Sequence, residues 1–389
     1  MDNTISIYVH IPFCIKKCPY CDFNSVATAD IPDDVYINAL NRELFFHIKE
    51  RPVLSKKTLE TIYIGGGTPS LISPHNIKRL LSSIKQSFAE SNPEEITIEI
   101  NPGTITKNSL TAFRDAGINR LSIGIQSFND KTLKTLGRVH SADNSLKCYE
   151  YARTTGFDNI GIDLIFGVPG QSVEEWEEDL KTAVALRPEH ISAYNLTVEK
   201  GTLFFELQKN GGLVLPSEED QVLMYELAID SLKEAGYNHY EISNFSLTGF
   251  ESQHNMRYWS CMDYIGLGAG AHSYISSPDW GIRWWNESDP DAYMQQIKKA
   301  TAEQGQAIAG KERLTKKEAL EEGIFLGLRR TSGINMNWFA ARFNTSLKNL
   351  CHQKIAELKT GGLIYEDGSI IRLTRKGLTL SNEVFAELI

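Results

Sequence analysis

The chain has 389 residues, a net charge of −9 and a pI near 5.6, with 41% hydrophobic and 23% charged residues. This is ordinary globular composition, which excludes collagen-like and disordered classes and leaves room for two or three domains without disulfide staples. The acidic balance disfavours nucleic acid and anionic membrane as partners, and no apolar run approaches the ~18 residues of a membrane span. The start, Met1-Asp2-Asn3-Thr4, lacks a basic region followed by an apolar one, so a cytoplasmic location is expected.

Short β-branched runs alternate with longer amphipathic stretches. Strands are predicted over Ile5–Ile11, Leu59–Gly65, Glu95–Asn101, Arg120–Gln126, Asn159–Ile165 and Glu189–Leu196. Helical patterns lie near 33–50, 74–90, 106–116, 141–156, 173–186 and 217–235. Six βα units predict parallel strands with right-handed crossovers. No G-x-G-x-x-G follows the first strand, so an α/β partial (β/α)6 barrel over residues 1–236 is expected, not a doubly wound sheet. The apolar strands end on polar groups: His10, Gly65 to Thr68, Glu99 with Asn101, Gln126, Asp163, and Tyr194 with Asn195. In βα barrels that end hosts the chemistry.

Residues 237–311 are rich in Tyr, Trp, Gly and His and read as loops and short strands. Residues 312–389 show three helical patterns, at 314–330, 335–344 and 347–360. A hairpin around Glu366-Asp367-Gly368-Ser369 and a last helix at 375–388 follow, which is a winged-helix-like order. The third helix carries Lys348, Lys354 and Lys359, yet its apolar positions are those of an ordinary amphipathic helix, so packing or a partner surface is expected before DNA binding.

The densest chemical signal is Cys14, Cys18 and Cys21, spaced C-x3-C-x2-C in the loop after the first strand. Three thiolates on one loop suit three corners of a [4Fe–4S] cube and leave one iron open. The alternative is a zinc site completed by His10; a structural zinc would more commonly draw on a second cysteine pair, whereas Cys148, Cys261 and Cys351 are isolated. An open iron needs a chelating ligand. The glycine run lets backbone approach such a ligand, Glu99 can accept from hydroxyls or hold an ammonium group, and Gln126, Arg138 and Asp163 supply further polar groups.

Together these residues resemble the radical S-adenosylmethionine (SAM) superfamily, with Tyr20 as the aromatic before the last cysteine and Gly65-Gly66-Gly67-Thr68-Pro69 as the strand that binds the SAM amine. The segments around Tyr8 to Cys14, Ile100 to Gly103, Ser122 to Phe128 and Ile162 to Gly170 are similar to the oxygen-independent coproporphyrinogen III oxidase group. The resemblance runs from about residue 5 to the C-terminus. It implies that Cys14, Cys18 and Cys21 hold a [4Fe–4S] cluster and that Tyr8, Gly66 and Glu99 contact its SAM. Positions matching Tyr20, Gly67, Thr68, Gln126, Arg138 and Asp163 contact a second SAM in the oxidase and here either do so or complete the first pocket.

Two features depart from the oxidase. Its fourth cysteine, two residues after the third, is replaced by Phe23, and residues 254–259 read His-Asn-Met-Arg-Tyr-Trp, an H-N-x-x-Y-W motif. Both resemble the haem chaperone branch of the group. Its implied partners are haem, a haem acceptor protein and a reductant for the cluster. The implied haem contacts are His254, Tyr258 and Trp259, with His272 a lesser candidate ligand. The competing expectation is an oxidase that decarboxylates two propionates of coproporphyrinogen III to vinyl groups, so enzymatic activity stays open at this point.

Overall fold

A computed structural model describes residues 3–276, 279–300 and 307–389. Residues 277–278 and 301–306 of the aromatic middle region, and Met1 and Asp2, lie outside the described residues.

Six parallel strands run in sequence order: β1 (Thr4–Ile11), β2 (Thr58–Gly66), β3 (Glu90–Ile100), β4 (Arg120–Gln126), β5 (Ile160–Phe166) and β6 (His190–Asn195). Each predicted strand is present. β3 begins five residues early because Glu90 and Ser91 extend the ladder against Thr58 and Leu59. The strands alternate: Ile5, Ile7, Val9 and Ile11 of β1 share one face and are fully buried, while Ser6, Tyr8 and His10 lie on the other. The outer helices start where the sequence supplies caps. Ser73, Thr106, Ser141 and Ser172 each accept a backbone N–H with the side-chain oxygen, and the last three form capping boxes.

The six strands do not close on themselves. On the β6 side, Asn244–Ser246 and then Asn238–Glu241 add antiparallel strands. On the β1 side, Tyr264–Leu267 pairs in parallel, followed by an antiparallel meander of His272–Ile275, Ile282–Asn286 and Ile308–Arg313. The result is one twelve-stranded sheet whose central six strands form a partial barrel. The aromatic middle region therefore supplies both edges of the sheet. Among its described residues it also holds the helices Gln253–Trp259 and Pro290–Lys299.

The C-terminal region packs around its own core of Leu320, Ile324, Phe339, Phe343, Ile355 and Phe385, with Ile242 and Trp280 against it from outside. Helices Lys316–Arg329, Met336–Phe343 and Leu347–Thr360 precede the hairpin Ile364–Asp367 and Ile370–Leu373, the expected order. The predicted last helix divides into Arg375–Thr379 and Ser381–Leu388, with Leu380 off helical geometry between them.

Candidate functional site

The first strand ends at Ile11, and the chain passes through Pro12 into Phe13 and Cys14. That short stretch pairs with Val26 and Ala27, pinning the two ends of the cysteine loop together. Cys14 is buried, Cys18 and Cys21 are half-buried, and all three are unbridged. Inside the loop the Cys21 N–H donates to the Cys18 carbonyl at 3.2 Å. Burial pushes the Cys14 and Cys21 thiols above their ordinary range. Iron would reverse that by binding the thiolates.

The glycine strand sits directly beneath this loop. Gly67 passes so close that an added Cβ would lie 2.8 Å from the Phe13 carbonyl and 2.9 Å from Cys14 Sγ. At Gly66 the backbone has φ +118°, and a Cβ would meet the His10 ring at 2.7 Å. Only glycine allows this approach. Thr68 donates its hydroxyl to Cys14 Sγ at 3.4 Å, and Arg138 Nη1 stands 3.8 Å from Cys18 Sγ.

A cavity of about 460 Å³ opens between this loop and the barrel interior, and Cys14, Cys18 and Cys21 all line it. So do Tyr20, Gly66, Gly67, Thr68, Glu99, Gln126, Arg138 and Asp163. The structure thus brings together every residue expected around the cluster and SAM except Tyr8. The wall is polar because each strand turns one row of side chains inward, two residues apart. Asp163 accepts from Ser122 at 3.1 Å and Ser192 at 2.7 Å, its lateral neighbours on β4 and β6. Burial raises its carboxyl pKa, and those hydroxyls pull it back down. Glu99 accepts from the Tyr63 hydroxyl at 2.8 Å and the Gly66 N–H at 3.0 Å. Burial still lifts its carboxyl to about 7. Gln126 has φ 69°, the left-handed region that side chains avoid, at the lip of the cavity.

The residues fit an iron–sulfur cluster with an anionic ligand. Three unbridged cysteines face one cavity, and Arg138 Nε is buried with no acceptor among the described residues. Zinc completed by His10 does not fit. His10 Nδ1 is 2.9 Å from the Tyr8 hydroxyl and Nε2 is 2.7 Å from the Asn24 carbonyl, so both ring nitrogens are engaged. Among the described residues no three His, Cys, Asp or Glu side chains converge on one metal ion; a cubane needs no such convergence, since each thiolate binds its own iron.

A second cavity, of about 620 Å³, adjoins the first and shares Phe23, Gly66 and Glu99 with it. Tyr8, Tyr258, Trp259 and His272 line this second space. His254 differs from expectation. It is fully buried inside the barrel, with Nδ1 2.8 Å from the Thr61 hydroxyl and Nε2 2.9 Å from the Tyr258 hydroxyl. Burial, with Arg257 and Arg120 nearby, lowers its pKa to about 3. In this arrangement neither nitrogen has a free lone pair for iron. The motif instead forms a helix whose first amides, at Gln253 and His254, donate to Glu95 at 2.9 and 3.0 Å.

Sequence reasoning passed over Tyr63, Arg120, Ser122, His190 and Ser192, which also line the first cavity. The available signal was the two-residue spacing of polar groups within otherwise apolar strands, as in Arg120-x-Ser122-x-Gly124-x-Gln126 and His190-x-Ser192-x-Tyr194.

Comparison with known proteins agrees with this geometry. The family profile for the Radical SAM superfamily matches residues 8–183, and that for the HemN C-terminal domain matches residues 314–380. The chain is similar to the Heme chaperone HemW of Bacillus subtilis (strain 168), at 40% identity over 98% of both chains. It is 34% identical to the mitochondrial Radical S-adenosyl methionine domain-containing protein 1 of Bos taurus, over 99% of this chain and 87% of that one. Among solved structures, the radical SAM enzyme coproporphyrinogen III oxidase (HemN) of Escherichia coli superposes with a TM-score of 0.84 at 26% identity, covering 100% of this chain and 90% of that one. At this identity over nearly its whole length, the chain belongs to the family of the haem chaperone HemW, within the radical SAM superfamily.

Proposed function

We propose that this chain is a haem chaperone: it binds haem beside a SAM-ligated [4Fe–4S] cluster and passes the haem to an acceptor protein. The observation that carries the reading is the 40% identity to HemW relatives across 98% of both chains, against 26% to the oxidase. Cys14, Cys18 and Cys21 are the proposed cluster ligands. Gly66, Gly67, Thr68 and Glu99 are the proposed SAM contacts at the rim, with Tyr20, Gln126, Arg138 and Asp163 completing the pocket and Tyr8 behind Gly66. Tyr258 and Trp259 are the proposed haem contacts, and His254 holds the Tyr258 hydroxyl. A bound cluster with SAM at its open iron supplies one-electron chemistry there.

The chain's own residues then have defined tasks. Arg138 places positive charge beside Cys18 and the buried pocket, which favours an anionic cluster and a carboxylate ligand. Glu99 offers acceptors at the rim, oriented by Tyr63 and Gly66. The cysteine loop and Tyr20, whose ring stands 6.3 Å from that of Phe204, form one side of the cavity. The proposed setting is the cytoplasm, with a reductant for the cluster and no nucleic acid as partner. No helix among the described residues is long and apolar enough to cross a membrane.

The second reading, a coproporphyrinogen oxidase, is favoured by the superposition on HemN. Phe23 in the place of that enzyme's fourth cysteine argues against it. The deciding experiment is anaerobic incubation of the cluster-loaded chain with coproporphyrinogen III, SAM and a reductant, alongside a haem titration. A chaperone binds haem and yields no protoporphyrinogen IX. Decarboxylation above a no-protein control would reverse the assignment.

A further inference from the structure

We infer that the second cavity is the haem seat and that His272 supplies an axial imidazole to the haem iron. The inference rests on the haem-binding reading and deepens it. The cavity measures about 620 Å³, within the range of cofactor clefts, and it lies between the strand His272–Ile275, the end of the motif helix and helix Lys316–Arg329. Its walls are largely aromatic and aliphatic: Tyr258, Trp259, Tyr264, Tyr274, Phe325 and Leu326. Such a space suits a flat, apolar macrocycle.

Two histidines reach this cavity, His10 and His272. Both nitrogens of His10 are engaged, by Tyr8 and Asn24. His272 is exposed, and neither of its ring nitrogens has a hydrogen-bond partner among the described residues. Its ring stacks on Trp285, with centroids 5.8 Å apart and planes 22° from parallel, so its orientation is set while its lone pair stays available. Desolvation of its inner side and the Arg283 charge lower its pKa against the opposing Glu312 charge, which favours the neutral form that binds metals. Arg283, the cation on the same wall, is already held by Glu312 at 2.6 Å and Glu322 at 2.7 Å. Cys261 and Met262 also line the cavity, but burial raises the Cys261 thiol to about 11, away from the thiolate form; among the cavity's imidazole nitrogens, those of His272 are the ones left to engage the iron. Phe23, Gly66 and Glu99 border both cavities, so a haem seated here lies next to the cluster pocket. Phe23 is 59% exposed and offers a ring at that junction.

The test titrates hemin into the cluster-loaded full chain and reads absorbance and resonance Raman spectra. His272→Ala should shift the Soret band, remove the histidine-ligated signature and weaken binding about tenfold or more. Added imidazole should restore the wild-type spectrum in His272→Gly, which a merely structural role would not allow. Leu326→Trp fills the cavity while leaving His272 in place, and should weaken binding by a similar factor. Circular dichroism and retained iron confirm folding of each variant. Wild-type spectra and affinity in His272→Ala would overturn the ligand assignment, as would loss of histidine ligation in His254→Ala alone. Unchanged binding in Leu326→Trp would overturn the cavity. A wild-type chain that binds no haem would instead sink the chaperone reading itself.

Discussion

Glu99 is the most finely balanced group in the first cavity. Two donors stabilise its charge, while burial and the neighbouring Asp163 carboxylate oppose it, leaving the carboxyl near 7 against 4.5 for a free side chain. The native state therefore keeps its proton to about pH 7, whereas the unfolded chain gives it up near 4.5. Below 4.5 both states are protonated and the site costs nothing. Between 4.5 and 7 the unfolded state binds fewer protons, so stability falls as pH rises, and the loss is complete above 7. Glu99→Gln has no such dependence. Urea unfolding of the two proteins at pH 5 and pH 8 should show wild type losing of order 1 kcal/mol relative to the variant. Equal slopes would mean that the carboxyl is ionised throughout. The cysteines allow a sharper contrast. Ala at Cys14, Cys18 or Cys21 should abolish the roughly four irons expected per chain after anaerobic reconstitution. Ala at Cys148, Cys261 or Cys351 should leave the iron content unchanged, because burial raises those thiols and none of them lines the first cavity.

The helix Gln253–Trp259 shows how much of an element is hidden from sequence. The resemblance to the haem chaperone branch implies a haem contact at His254, whereas the letters alone, a histidine in an aromatic-rich loop, fit hydrogen-bonded structure. The fold uses His254 as a buried strut between Thr61 of β2 and Tyr258 one turn on, in ring contact with Tyr63 at 5.3 Å. The short motif leaves no periodicity to read, and its partners lie over 150 residues away in sequence, so neither the helix nor the burial was legible. The barrel strands were legible because β-branched and other apolar residues recur along them and their ends are polar. The cysteine loop was legible because its ligands are local. Element-level consequences follow. His254→Ala should destabilise the chain by ~3 kcal/mol in urea titration, through lost packing and the lost hydrogen bonds to Thr61 and Tyr258, of which Thr61 keeps its bond to Ser6. Thr61→Val removes one partner of the same bond and should cost ~1–3 kcal/mol. Glu95 both caps this helix and faces buried Arg120, with Nε 3.9 Å from Oε2. Glu95→Ala should therefore cost ~3–5 kcal/mol, more than either, since it strands a buried guanidinium.

At the scale of the whole molecule, the C-terminal region is a wall of the second cavity, and Arg329 fastens it alongside the Arg283–Glu322 and Arg375–Asp230 pairs. Arg329, at the end of helix Lys316–Arg329, reaches Glu241 at the far edge of the sheet, 3.4 Å away, and lies over the Trp259 ring at 4.5 Å. A backbone bridge between Glu241 and Arg330 runs alongside. Glu241 is fully buried and also accepts from the Ser243 N–H and the Asn244 amide, so its charge depends on this one cation. The winged-helix-like order was readable from residues 312–389 alone, but this clasp was not, because it joins three segments that share no local pattern. Removing the guanidinium leaves a buried carboxylate with only neutral donors, and Arg329→Met should cost ~3–5 kcal/mol. Hydrogen exchange should accelerate in residues 316–329 and 253–259 together, since Trp259 loses its cover at the same time. Haem affinity should fall with them if the cavity is the seat. Glu241→Gln added to Arg329→Met removes the stranded charge and should recover at least ~1 kcal/mol, a coupling that a double-mutant cycle reads directly. Additive losses would show that the clasp holds by packing alone.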